Sequence, residues 1–215
     1  MKKLLILIQC LLLLAACENA PIKKVEQPST ATVATESPLD REIKEILEKG
    51  VSISERKRQG AAIETTFKRR TTPKRARQLA ALCYTKTLGT PFLPFDLAEI
   101  ALAETGDYKL SPVAVSPKGA VGVWQLMPQR AMSHGYSPSD MENDEKCAEA
   151  AVRELYSKMK MAQGNLKRAK KLYCGQGPAA DFYVRKLHTI RQEMQKDLQL
   201  HNERLAMGEV GTRTR

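Results

Sequence analysis

The sequence predicts an all-α protein. From residue 77 onward apolar residues recur at three- and four-residue steps, no segment alternates as a half-buried strand would, and the breaks fall at Pro, Gly and Asn. Arg77 to Thr87 places Leu79, Leu82 and Cys83 on one face. Pro94 opens the next helix at its first turn, where a missing N–H costs nothing. That helix turns Phe95, Leu97, Ile100, Ala101 and Leu102 inward, and Gly106 stands where a C-terminal glycine ends a helix. A further helix is expected from near Val123. A long amphipathic one follows over 142–161, with Ala148, Ala151, Val152, Leu155 and Met159 on its apolar face. Gly164-Asn165 turns the chain into a short helix over 166–173, and a last helix runs from about Ala179 to His201. Upstream, Asp40 is placed to cap a helix with Ile43, Ile46 and Leu47 on one side, ended by Gly50.

The N-terminus has a different logic. Lys2 and Lys3 precede a run from Leu4 to Ala16 that is nearly all aliphatic, and this is shorter than the roughly 20 apolar residues of a spanning helix. Its layout is that of a secretory signal peptide. It ends in Leu14-Ala15-Ala16-Cys17, which resembles the bacterial lipoprotein signal. The resemblance implies cleavage before Cys17, lipidation of its thiol, and stable anchoring through several acyl chains. Glu18 follows where the inner-membrane retention signal has Asp, which favours the outer membrane. Residues 18–39, rich in Pro, Ser, Thr and Ala, read as a flexible tether. The expected organisation is a signal peptide over 1–16, a lipidated N-terminus and linker over 17–39, a basic helical extension over 40–76, a catalytic domain over 77–201 and a polar tail over 202–215.

The 215 residues carry a formal net charge of +11, and such a chain associates by charge with anionic wall polymers and lipid head groups. An exported lipoprotein does not meet nucleic acid. Residues 55–77 hold nine Lys/Arg against Glu55 and Glu64. They read either as a contact surface for polymer, lipid or partner, or as a solvated helix face. His134, His188 and His201 are scattered, and neither a zinc-type Cys/His spacing nor a phosphate loop occurs, so no metal or cofactor is expected. In an oxidising compartment two of Cys83, Cys147 and Cys174 have the opportunity to pair, and Cys147 with Cys174 is the candidate disulfide.

One stretch carries chemistry. Glu104 ends an apolar helix after Ile100-Ala101-Leu102-Ala103, a setting that keeps a carboxyl protonated, as does the negative end of the helix. Ser116-Pro117-Lys118-Gly119-Ala120-Val121-Gly122-Val123-Trp124-Gln125-Leu126-Met127-Pro128 follows. With Glu104-Thr105 before it, and Leu172-Tyr173-Cys174-Gly175 and Phe182-Tyr183-Val184-Arg185 after it, this block resembles the catalytic domain of soluble-type lytic transglycosylases. That family shares the goose-type lysozyme-like fold, and the likeness covers Phe92 to about Leu187.

The resemblance implies Glu104 as the single catalytic acid/base, Ser116 and Gln125 as hydrogen-bonding partners of the saccharide, and Tyr173 as the residue that orients acid or sugar. It also implies glycines 119 and 122 as points where substrate approaches the backbone. Trp124 reads as mainly structural, and Asp107 is the nearest second carboxylate. The implied substrate is peptidoglycan, cleaved with formation of 1,6-anhydromuramyl ends. Such an enzyme would open the wall for an envelope-spanning secretion or conjugation machine. A hydrolysing muramidase and a catalytically idle wall-binding lipoprotein stay open as alternatives. The stretch departs from the family pattern in Thr105 for serine, in extra residues over 106–112, and in Cys174-Gly175-Gln176 after the tyrosine.

Overall fold

A computed structural model describes residues 52–212, all within one compact unit. The leader, Cys17, the tether and the helix expected from Asp40 lie outside the described residues. The described residues are all-helical, with two isolated bridges (Val115 to Val121 and Val121 to Leu126) as the only extended pairing among them.

Seven α-helices follow in order: α1 (Ile53–Lys68), α2 (Pro73–Thr87), α3 (Pro94–Thr105), α4 (Pro128–Ser133), α5 (Asp144–Met161), α6 (Leu166–Cys174) and α7 (Pro178–Thr212). Short 3-10 turns occupy Gly106–Tyr108 and Pro138–Glu142. Local chemistry sets most of the starts. Side-chain oxygens of Ser52, Thr72, Asn143 and Asn165 accept from first-turn amides of α1, α2, α5 and α6. Prolines 73, 94, 128 and 178 sit at first helical positions.

Helix α3 is the central element. It contacts α1, α2, α5 and α7, and every residue from Pro94 to Ala103 is buried. Helix α1 is no peripheral extension. Ala62, Ile63 and Phe67 are fully buried in the same core as Leu97 and Ile100, and burying a side chain the size of Ile63 or Phe67 contributes roughly 2–3 kcal/mol. The boundary expected at 76/77 falls inside α2, so the basic segment packs into the same core as the helices that follow. The expected tail is also corrected. No proline falls between His201 and Thr212, and α7 runs on to Thr212 through Gly208 and Gly211.

The charge run of 55–77 is largely consumed within the fold. Arg69 pairs with Glu193 and Asp197 on α7, Arg70 with Glu193, Arg75 with Asp144, and Arg58, Lys68 and Arg77 with glutamates of α1. Arg56 is buried and donates to the carbonyls of Thr87 and Phe92. Only Lys57 and Lys74 of the nine have no such partner among the described residues. Most of these cations are engaged within the fold, neither free for contact nor simply solvated.

Two local expectations also change. The helix expected from near Val123 starts at Pro128, because Gly119, Gly122 and Gln125 all have positive φ (82°, 83° and 49°) and fold the block into a tight turn. Gly106 is right-handed (φ −55°) and continues into the 3-10 turn, so the left-handed positions are Lys109 and Leu110 instead.

Three buried charges and the partly exposed Arg191 meet where α3 packs on α6 and α7. Lys170 donates to Asp96 (2.7 Å) and to Glu99, and Arg191 binds Glu99 (2.7 Å) and Asp96 (2.5 Å). Asp96, Glu99 and Lys170 are each less than a tenth exposed. Removing one cation leaves buried carboxylates short of charge, so Lys170→Met is expected to destabilise the fold by about 3–5 kcal/mol. Urea denaturation measures this, and a midpoint equal to that of the parent would show the quartet to be dispensable.

Candidate functional site

Glu104 occupies the last turn of α3, its carboxyl turned toward a cleft of about 420 Å³ that it lines with Ser116 and Gln125. Three of the residues picked out in the sequence thus share one cavity. Leu102 and Ala103 beside the acid are buried, and this desolvation pushes the Glu104 carboxyl up to about 7. The Tyr183 hydroxyl and the Lys186 ammonium act in the opposite direction without prevailing.

Tyr183 reaches the site from α7. Its hydroxyl is buried beside the Glu104 carboxyl and completes no hydrogen bond of full geometry. Sequence reasoning quoted Phe182-Tyr183-Val184-Arg185 without giving the tyrosine a role; that motif was the available signal. Lys186, one turn on, donates to the Ala103 carbonyl at 2.8 Å and to Asp107 Oδ2 at 3.1 Å. Asp107 also lines the cleft, where it is exposed and paired with Lys186.

The turn over 114–126 is built to hold Gln125 and Ser116. Val121 and Leu126 exchange backbone hydrogen bonds (2.9 and 3.1 Å), and the Gly122 amide donates to Ala114 O at 3.0 Å. Gln125 Nε2 donates to the carbonyls of Ala114 (3.0 Å) and Gly122 (2.8 Å). Its Oε1 is left as the acceptor for a ligand. Ser116 Oγ accepts from the Ala120 amide at 3.0 Å, which leaves its proton to donate. Packing by itself requires a glycine at 122. A Cβ there would stand 2.1 Å from Met141 O and 2.8 Å from Cys147 Sγ, while one on Gly119 would meet nothing within 4 Å.

Three further residues lock this turn to the helices. Thr105 Oγ1 donates to Val123 O at 2.7 Å, which ties the residue after the acid to the turn. Trp124 is fully buried, and its Nε1 donates to Leu97 O at 3.0 Å, as its structural reading required. Tyr173 donates its hydroxyl to Trp124 O at 2.9 Å. It holds the backbone next to Gln125 and lines a second cavity, of about 200 Å³, that Gln125 also borders. The hydroxyl placed beside the acid belongs to Tyr183.

The candidate disulfide is not formed: Cys83, Cys147 and Cys174 are all free thiols. Cys147 stands 17 residues before Gly164 and Cys174 stands 10 after it. The difference leaves the two about 10 Å out of step along helices joined at that turn, beyond disulfide reach. Cys147 is buried against Gly122 instead, and Cys174 is exposed at the end of α6.

A carboxyl raised from 4.5 to about 7 has a stability signature. The folded state holds the proton more tightly than the unfolded chain, so the stability this adds is complete below pH 4.5 and is lost as pH rises through 7. A neutral glutamine escapes that loss. Relative to the parent, Glu104→Gln should gain up to roughly 3 kcal/mol between pH 4 and pH 8. Thermal unfolding at the two pH values checks this, and an equal difference at both would mean that the carboxyl titrates normally.

Comparison with known families places this geometry. Residues 94–181, from the first residue of α3 into the start of α7, match the family model described as the transglycosylase SLT domain. No curated protein and no solved structure gave a match. The matched segment contains Glu104, the turn with Ser116 and Gln125, and Tyr173, and it ends two residues before Tyr183. Residues 94–181 form a soluble-type lytic transglycosylase-like domain with the all-helical fold expected of that lysozyme-like family.

Proposed function

We propose that the chain is a peptidoglycan lytic transglycosylase that cleaves the β-1,4 bond between N-acetylmuramic acid and N-acetylglucosamine, with Glu104 as its single acid/base. The observation that supports this most is the half-buried Glu104 carboxyl facing a cleft shared with Ser116 and Gln125, its proton retained to about pH 7. Asp107, the other carboxylate lining the cleft, is exposed and paired with Lys186, which favours a one-carboxyl route over a retaining pair.

In that route Glu104 gives its proton to the glycosidic oxygen as the bond to the muramyl C1 breaks, and N-acetylglucosamine leaves as an alcohol. The substrate's own N-acetyl oxygen supports the positive charge at C1. The Glu104 carboxylate then takes the proton of the C6 hydroxyl, whose oxygen closes on C1 to give the 1,6-anhydro ring. Glu104 ends protonated as it began, and no water is consumed. Closure is fast because the nucleophile is already held on the same sugar. Ser116 as donor and Gln125 Oε1 as acceptor fix the strand across the cleft.

Digestion of purified sacculi followed by mass spectrometry should give 1,6-anhydromuramyl ends, at a rate that declines as pH rises through about 7. Glu104→Gln should lose at least about a hundredfold in rate. Reducing ends alone would replace this reading with a hydrolysing muramidase. A parent chain that pellets with sacculi and cleaves nothing would replace it with an idle wall-binding protein.

The proposed location is the periplasm, anchored by acyl chains on Cys17 and facing the wall from the outer membrane. The support is the sequence Leu14-Ala15-Ala16-Cys17 followed by Glu18. Service to an envelope-spanning machine is consistent with that location. Growth with a labelled fatty acid should label the mature protein, and Cys17→Ser should abolish the label; a labelled serine variant would refute the anchor.

A further inference from the structure

We propose that Tyr108 is a stacking platform for one sugar ring of the bound glycan strand, presented at the cleft by a strained turn that Arg75 clamps. This deepens the reading of the cleft as a glycan site and depends on it.

The connection leaving α3 exposes three large apolar side chains in eight residues: Tyr108 at 69%, Val113 at 62% and Val115 at 64%. A lone exposed tyrosine would need no explanation. Tyr108 and Val115, however, both line the cavity that holds Glu104, so the exposed apolar surface is gathered where a strand would lie. A pyranose ring offers a face of C–H groups, and an aromatic ring covers such a face with little loss of side-chain freedom.

The backbone after Tyr108 shows that its position is imposed. Lys109 and Leu110 are two consecutive non-glycine residues in the left-handed region, at φ 57° and 53°. Strain of this kind persists only where surrounding structure dictates it, and it gathers at ligand sites. Two contacts dictate it here. The Leu110 side chain is fully buried. The Leu110 carbonyl accepts from Arg75 Nε at 2.8 Å and from Nη2 at 2.6 Å, while Asp144 holds the same guanidinium at 2.8 and 2.9 Å. Anchored at Leu110 and at α3, the turn leaves Tyr108 on the cleft side. Nothing in the core requires an aromatic residue there, which separates a ligand role from a packing role.

The test uses soluble glycan strands released from sacculi, with binding measured by calorimetry to the full chain carrying Glu104→Gln so that nothing is consumed. Adding Tyr108→Ala should weaken binding about tenfold, whereas Tyr108→Trp should stay within about twofold, because the aromatic face and not the hydroxyl is needed. In the cleaving protein, the loss from Tyr108→Ala should appear in KM. Since Tyr108 is exposed, its variants keep the fold, which a far-ultraviolet circular dichroism spectrum verifies. If the parent cleaves sacculi and Tyr108→Ala binds strands as tightly as its reference, the platform is refuted and the proposed function stands. If the parent neither binds nor cleaves glycan, both fall together.

Discussion

The charged quartet of Asp96, Glu99, Lys170 and Arg191 is the constraint on which the site's geometry depends. Each member comes from a helix that also carries a site residue. Glu104 lies five residues beyond Glu99 on α3, Tyr173 three beyond Lys170 on α6, and Tyr183 eight before Arg191 on α7. Apolar contacts alone would let these helices slide by a fraction of a turn at small cost. Charge-assisted hydrogen bonds between largely buried groups do not, because any slip leaves an ion unpaired. The quartet therefore sets the register of three helices, and with it the approach of two tyrosines to one acid.

Helix α3 holds carboxyls in opposite protonation regimes within a dozen residues. Burial alone would raise the Asp96 carboxyl, yet Lys170, Arg191 and the Leu93 amide hold it below the usual carboxylate range. At the other end burial acts on Glu104 with little to oppose it. Lys186 spends its ammonium on the Ala103 carbonyl and on Asp107, and Tyr183 offers only an uncompleted hydroxyl contact. The difference is one of partners, not of residue type or of depth. Pairing at one end keeps charge that holds the structure; withholding a partner at the other keeps a proton that can be given away.

The fold class and the core of the site were legible in the sequence because both are written locally. Helix periods, caps and prolines mark α2, α3, α5 and α6 to within a few residues, and the block from Ser116 to Pro128 announces itself by order. What escaped was non-local. Asp96 and Glu99 meet their cations only where α6 and α7 pack on α3. The arginines of α1 and α2 read as a free basic face because their acids lie about 70 to 130 residues away, at Asp144, Glu193 and Asp197. Tyr173 and Tyr183 both lie near Glu104, and which hydroxyl comes against the acid depends on the packing of α6 and α7. The crowding that demands glycine at 122 comes from Met141 and Cys147, twenty or so residues on, and is invisible in the local sequence.

The cleft is lined by backbone that would not hold itself. Lys109 and Gln125 line it and Leu110 is buried behind Lys109, all three left-handed without being glycine, at a cost of order 1–3 kcal/mol each. The groups that enforce them lie elsewhere. Arg75 on α2 and Asp144 on α5 hold the turn at Leu110; Thr105 and Tyr173, through the carbonyls of Val123 and Trp124, hold the turn at Gln125. Arg75 precedes the segment that matches the transglycosylase domain, and α2 keeps its place by packing on α1. The first helices are therefore part of what shapes the cleft: without their clamp the turn after the acid has no reason to stay left-handed, and Tyr108 no fixed place beside it.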